Sequence, residues 1–211
     1  MVKIIPVINV KTKQDFEKRL RELKKYEGSI QVDVADGQFT SWKNFQDISE
    51  MKLLKIKKPI QLHLMVKRPE DSLQDWLILK PIKIFIHWEA LKDFEKIYSM
   101  CSQTKTELGI ALNPYTHLTE IEKVASKIKS LLLLGVDPGP SGQSFNYYVL
   151  EKIKEVKKKY PKMIIQLDGG VNEEIGKLAV LAGVDELATG SYIFKSDDPY
   201  QAILDLEKKI I

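Results

Sequence analysis

Between Ile164 and Ser191 the chain reads IIQLDGGVNEEIGKLAVLAGVDELATGS, which parses as strand, glycine turn, helix, short turn, strand and a second glycine turn. Met163 to Leu167 is a short apolar run suited to a buried strand, and Asp168 stands at its carboxyl end. Gly169-Gly170 then lets the backbone turn tightly and expose N–H groups. Asn172 caps the following helix, with Glu173 and Glu174 in its first turn. Val184 to Ala188 forms the next strand, and Thr189-Gly190-Ser191 repeats small residues at a strand's end. Two such turns side by side can hold a phosphate dianion on backbone amides and helix N-termini. The same residues also read as two ordinary turns, because a glycine pair alone is a weak motif.

The rest of the chain repeats the alternation. Strands are expected at Ile4 to Asn9, Ile30 to Val34, Ile60 to Met65, Ile82 to His87, Glu107 to Leu112 and Leu131 to Val136. Helices are expected from about Lys13 to Lys25, Asp47 to Leu54, Pro69 to Trp76, Leu91 to Cys101, Leu118 to Ile128, Asn146 to Lys159 and Pro199 to Lys209. Eight strand-then-helix units with no linker between them fit a closed parallel sheet, so the expectation is α/β, a single (β/α)8 TIM barrel spanning residues 1–211. An open flavodoxin-like sheet would leave three units without a place.

Composition narrows the function classes. A chain of 211 residues with 44% hydrophobic and 29% charged residues is an ordinary globular sequence. The net charge of +4 is spread over many lysines, which argues against a nucleic-acid partner. No apolar run reaches a membrane-spanning length, and MVKIIPVINV lacks the form of a signal peptide, so neither a membrane nor a secretory role is expected and the location read here is cytoplasmic. The one cysteine, Cys101, is read as packing rather than as a nucleophile.

In a barrel of this kind, polar side chains at strand ends converge on one mouth. The expected ring is Asn9, Asp33, His63, His87, Asn113, Asp137 and Asp168, richer in ionisable groups than a packed core tolerates. Asp33 and Asp168 are read as functional, since an apolar strand carries a charge only where it is paired, metal-bound or solvated. His63 alternates with Leu62 and Leu64, and is read either as a ligand or as a satisfied core histidine.

Five segments, in order and spacing, resemble the ribulose-phosphate 3-epimerase family: VDVADGQF (32–39), LHLMVKRPED (62–71), ALNP (111–114), GVDPGPSGQ (135–143) and LDGGVN with AGVDELATGSYIF (167–194). The resemblance covers nearly the whole chain. It implies a barrel that interconverts ribulose 5-phosphate and xylulose 5-phosphate, with Asp33 and Asp168 as the two acid/base carboxylates on opposite faces of an enediolate. It also implies a divalent metal of the zinc, iron or manganese class, held by Asp33, His63, Asp168 and the position of Gln31. Phosphate and substrate contacts would come from Gly139, Gly142, Gln143, Gly169, Gly170, Gly190, Ser191 and Met65. A homo-oligomer is a further expectation.

This sequence departs from the family pattern where it matters for a metal. The family's histidine two residues before Asp33 is Gln31, a neutral and weaker ligand, so the metal would be weakly held or absent. Val7 replaces a serine on the first strand, Ala35 and Leu134 replace methionines, and Pro140-Ser141 stiffens the sixth loop. Three readings therefore stand: a working epimerase acting on ribulose 5-phosphate or a related ketose phosphate, a metal-free sugar-phosphate binding protein, and a divergent isomerase for another phosphorylated substrate that uses a replacement cation instead of the metal, for which Lys43 is the one nearby residue.

Overall fold

The protein, described from a computed structural model over residues 2–140 and 142–210, closes eight parallel strands into a barrel in sequence order. The first half runs β1 (Lys3–Ile8), α1 (Lys13–Glu22), β2 (Ile30–Ala35), α2 (Ile48–Leu53), β3 (Ile60–Met65), α3 (Pro69–Leu77), β4 (Lys83–His87) and α4 (Phe94–Ser102). The second half runs β5 (Glu107–Leu112), β6 (Ser130–Leu134), α5 (Tyr148–Lys159), β7 (Ile164–Asp168), α6 (Glu173–Ala182), β8 (Glu186–Thr189), the single turn α7 (Ser191–Phe194) and α8 (Pro199–Lys209). Residues 1, 141 and 211 lie outside the described residues, and with them the Ser141 half of the stiffened sixth loop.

Strands buried on both faces explain why the sequence shows continuous apolar runs rather than alternation. On β2, Ile30, Val32 and Val34 join the large cluster under the helices, while Gln31 and Asp33 occupy the other face and point into the barrel. The interior holds two small apolar groups, Phe85 with Ala111, Leu132 and Leu134, and Ile5 with Val7 and Ala188. Charged residues face the interior at each end, Lys83 and Glu186 at one and Asp33, His63 and Asp168 at the other.

One expected helix is absent. In place of Leu118 to Ile128 the chain makes a 3-10 turn at Leu118–Ile121 and further turns through residue 127. The buried residues Leu118, Ile121 and Val124 recur every third position, the period at which a 3-10 turn stacks side chains on one face. Likewise the helix expected from Leu91 starts at Phe94, where Asp93 caps it by accepting from the Lys96 N–H, and a 3-10 turn at Trp88–Ala90 precedes it. Among the described residues, no helix is long and apolar enough to cross a membrane.

Candidate active site

The carboxyl ends of the strands surround a cavity of about 540 Å³ counting its open mouth. Asp33, His63, Asp168 and Met65 line its floor, and Val7 and Leu134 its apolar wall. Pairing of β2 with β3 sets Asp33 directly beside His63, and pairing of β6 with β7 sets Leu134 beside Asp168. Both aspartates and His63 are buried.

The two carboxylates meet through shared donors. Gln31, fully buried on the same face of β2 as Asp33, donates through Nε2 to Asp33 Oδ1 at 2.7 Å and to Asp168 Oδ2 at 2.6 Å. Asn9 Nδ2 donates to Asp33 Oδ2 at 3.0 Å. Asn9 Oδ1 in turn accepts from Trp42 Nε1 at 3.0 Å and Asn44 Nδ2 at 3.1 Å. Trp42 is thus packed over Asn9 rather than displayed as a free surface. His63 Nδ1 faces Asp33 Oδ1 at 3.3 Å and Asp168 Oδ2 at 3.5 Å.

Burial and the neighbouring Asp168 charge push the Asp33 carboxyl upward, more than its hydrogen bonds from His63 and Gln31 pull it down. Burial alone would lower the His63 imidazole, but its hydrogen bonds and attraction to Asp168 and Asp33 outweigh it and hold it at about 9. His87, buried beside His63, is held down to about 4 chiefly by desolvation. Cys101 is buried, and desolvation lifts its thiol to about 11, in keeping with a packing role.

One side of the mouth is built from glycine turns. Gly139, Gly142, Gly169, Gly170, Gly190 and Ser191 all border the cavity. Gly169 and Gly170 have φ of +92° and +72°, and a Cβ on Gly169 would lie 2.5 Å from the Val136 side chain. A Cβ on Gly190 would meet the Val7 carbonyl oxygen at 2.8 Å, so glycine lets the β8 turn lie against β1. Among the described residues no lysine or arginine borders this cavity, so an anion there would rest on backbone amides and the Ser191 hydroxyl.

Gln143 and Lys43 lie outside this cavity. Gln143 borders the adjoining hollow with Gly142, Gly170 and Ser191, and its Nε2 donates to the carbonyls of Asp137 (2.8 Å) and Pro140 (3.0 Å), bracing the β6–α5 loop. Lys43 is exposed, in an isolated bridge with Asp36, and does not border the cavity as a replacement cation. His117 is exposed as well. Gln166 and Glu89 escaped the sequence reading, although Gln166 stands two residues before Asp168 as Gln31 stands two before Asp33, a spacing that places each pair on one face.

The donor atoms fit a single small cation. One oxygen from each aspartate and one His63 nitrogen lie within 4.8 Å of one another. The His63 distances of 3.3 and 3.5 Å match the roughly 3.4 Å that separates tetrahedral ligands held about 2.1 Å from an ion. Gln31 offers its amide nitrogen, not its oxygen, because its Oε1 accepts from Gln166 Nε2. Gln166 Oε1 is buried with no partner among the described residues. Rotating both amides together would turn Gln31 Oε1 toward the aspartates and pair Gln31 Nε2 with that orphaned oxygen. The four residues can therefore accept an ion without losing the Gln31–Gln166 bond.

Fold and site together define a (β/α)8 barrel with a carboxylate pair and a histidine at its C-terminal mouth. The Ribulose-phosphate 3 epimerase family profile matches residues 3–194, and the chain belongs to that family. It is 34% identical to ribulose-phosphate 3-epimerase of Helicobacter pylori (strain ATCC 700392 / 26695) over 183 residues, 84% of each chain. It is 29% identical to the enzyme of the same name from Bacillus subtilis (strain 168) over 216 residues, 98% of each chain. Among solved structures, 3-hexulose-6-phosphate synthase from Salmonella typhimurium superposes with a TM-score of 0.73 at 12% identity, covering 99% of this chain and 98% of that one. That likeness speaks to the fold alone.

Proposed function

We propose that the protein is a ribulose-phosphate 3-epimerase, interconverting ribulose 5-phosphate and xylulose 5-phosphate. The observation that carries this reading is the convergence of Asp33 and Asp168 on one buried cavity, bridged by a single Gln31 amide at 2.7 and 2.6 Å. Inversion at a carbon beside a carbonyl needs one group to take the proton from one face and a second to return it to the other. Asp33 and Asp168 hold those two roles across the cavity, and the raised carboxyl of Asp33 suits it to proton exchange nearer neutrality. Met65, Val7 and Leu134 exclude water around the reacting carbon. The phosphate rests on the turns at Gly169-Gly170 and Gly190-Ser191, with Gly139 and Gly142 opposite.

Asp33, His63 and Asp168, with Gln31 after rotation of its amide, would hold the divalent ion. When bound, a cation of the zinc, iron or manganese class supplies positive charge against the negative charge that develops on the substrate oxygens. The Gln31 bridge also supports a second reading, a metal-free sugar-phosphate binding protein, since the amide occupies the approach a fourth ligand would use. The unpartnered Gln166 oxygen favours the first reading, because it gives the rotated Gln31 amide a waiting acceptor. A cytoplasmic location belongs to the same proposal.

The test is direct. Protein supplied with zinc, manganese or ferrous ion interconverts the two pentulose phosphates and exchanges the carbon-3 hydrogen with deuterated solvent. A wild type inactive with each ion overturns the epimerase reading; a ligand-induced rise in melting temperature without turnover selects the binder.

A further inference from the structure

His87 and Glu89 do not border the cavity, yet His87 touches its histidine and Glu89 touches His87. His87 is the last residue of β4 and is fully buried. Its Nε2 lies 2.9 Å from His63 Nε2, and its Nδ1 lies 3.2 Å from Glu89 Oε2. Two imidazole nitrogens at that distance need one hydrogen between them, donated by one ring to the lone pair of the other.

The hydrogen can be assigned by working inward from the far end. Glu89 Oε1 accepts from the Asn113 N–H at 2.8 Å and from the Thr116 hydroxyl. Those donors are held in place by Lys152, whose buried ammonium donates to the carbonyls of Asn113 (3.1 Å), Pro114 (2.7 Å) and Thr116 (2.8 Å). The lysine also supplies the positive charge that a carboxylate in this half-buried loop requires. An ionised Glu89 accepts only, so His87 Nδ1 carries the hydrogen of the Glu89 contact. His87 Nε2 is then a bare lone pair, and His63 Nε2 must donate to it. The other ring nitrogen, Nδ1, is left directed at Asp33 and Asp168.

We propose that Glu89 and His87 are positioning residues for the reaction centre: they fix a hydrogen on His63 Nε2 and set the plane of its ring. His63 Nδ1 is thereby reserved for whatever lies between the two aspartates. Lys152 and the 113–116 loop are the outer anchor of this chain of contacts. The inference rests on the epimerase reading only for its consequence in catalysis; the assignment of the hydrogen stands on the geometry.

The substitution Glu89→Gln tests it with almost no change in shape. The amide oxygen keeps the Asn113 N–H, and the amide nitrogen donates to His87 Nδ1. The His87 hydrogen then sits on Nε2, facing His63, and His63 Nε2 becomes an acceptor. The chain has three histidines, so nitrogen-15 spectra of histidine-labelled protein, free of metal and substrate, resolve each ring. The expected result is a protonated His63 Nε2 in wild type and an unprotonated one in Glu89→Gln. Titration with zinc should show affinity reduced about 10- to 100-fold in the variant. If Glu89→Gln does not fold, His87→Leu should lose zinc affinity to a similar extent, and His87→Gln, which can still accept from His63, should recover it to within about threefold. An unprotonated His63 Nε2 in wild type, or spectra unchanged by Glu89→Gln, overturns the proposal. The spectra are read without substrate, so failure of the epimerase reading leaves this outcome intact.

Discussion

The two ends of the barrel solve the problem of buried charge in opposite ways. At the bottom, the first residues of four strands meet: Lys83 Nζ lies 3.1 Å from Glu186 Oε2 and 3.9 Å from Glu107, which accepts from the Ser130 hydroxyl. Here opposite charges neutralise one another with fixed partners. At the mouth, two carboxylates are brought together by shared donors, Gln31 and His63, and no lysine or arginine among the described residues borders the cavity. Like charges held close cost stability, and such an arrangement persists where chemistry uses it. The bottom is built for stability and the mouth for reaction, as barrels of this kind divide the work.

Breaking each end should therefore give opposite phenotypes. Asp168→Asn is expected to lower kcat by about 1,000-fold or more while leaving the melting temperature level or raised, because it removes one of two facing negative charges. Steady-state assays beside calorimetry check both halves, and a large loss of stability would contradict the contrast. Lys83→Met should instead cost about 3–5 kcal/mol of stability by stranding the buried Glu186 carboxylate, with kcat per folded molecule within about twofold of wild type. Adding Glu186→Leu to that variant should recover most of the loss in urea unfolding.

The mouth should also show its charge state in alkaline solution. The folded His63 value of about 9 lies above its ordinary 6.5, so its contribution is complete below pH 6.5 and is lost as pH rises through 9. Metal-free protein is thus expected to lose stability between pH 7 and 9.5, by at most about 3 kcal/mol. Replacing His63 with asparagine should flatten that limb, and a slope identical to wild type would count against the His63–carboxylate contacts. The smallest effect concerns Gln31. Gln31→His should tighten zinc binding about tenfold, since imidazole is the better ligand for that ion. Equal affinities by calorimetric titration would mean that residue 31 stays off the ion in both proteins.

Much of the fold was legible because parallel strands buried on both faces leave apolar runs, and glycine turns mark their ends. Strands β3 and β5 match their expected limits residue for residue. The helix expected at Leu118 to Ile128 failed because apolar residues spaced three or four apart satisfy a 3-10 turn as readily as an α-helix, and only packing selects between them. At the site, Asp33, Asp168 and His63 stood out as polar residues in apolar strands, whereas the contacts that Gln143 makes with the carbonyls of its own loop are not written in the motif.

By itself the sequence determined the alternation that closes into a barrel, the strand ends that carry carboxylates, and the glycines that let turns crowd the mouth. These are local properties, written in spacing and residue type. Only the tertiary structure decided which donors the carboxylates share, that Gln31 is oriented by Gln166, and that His63 is held through His87 by Glu89 and a loop anchored on Lys152. Those contacts join residues from different strands, and hydrogen-bond direction depends on the partner at each end, which no spacing along one chain records.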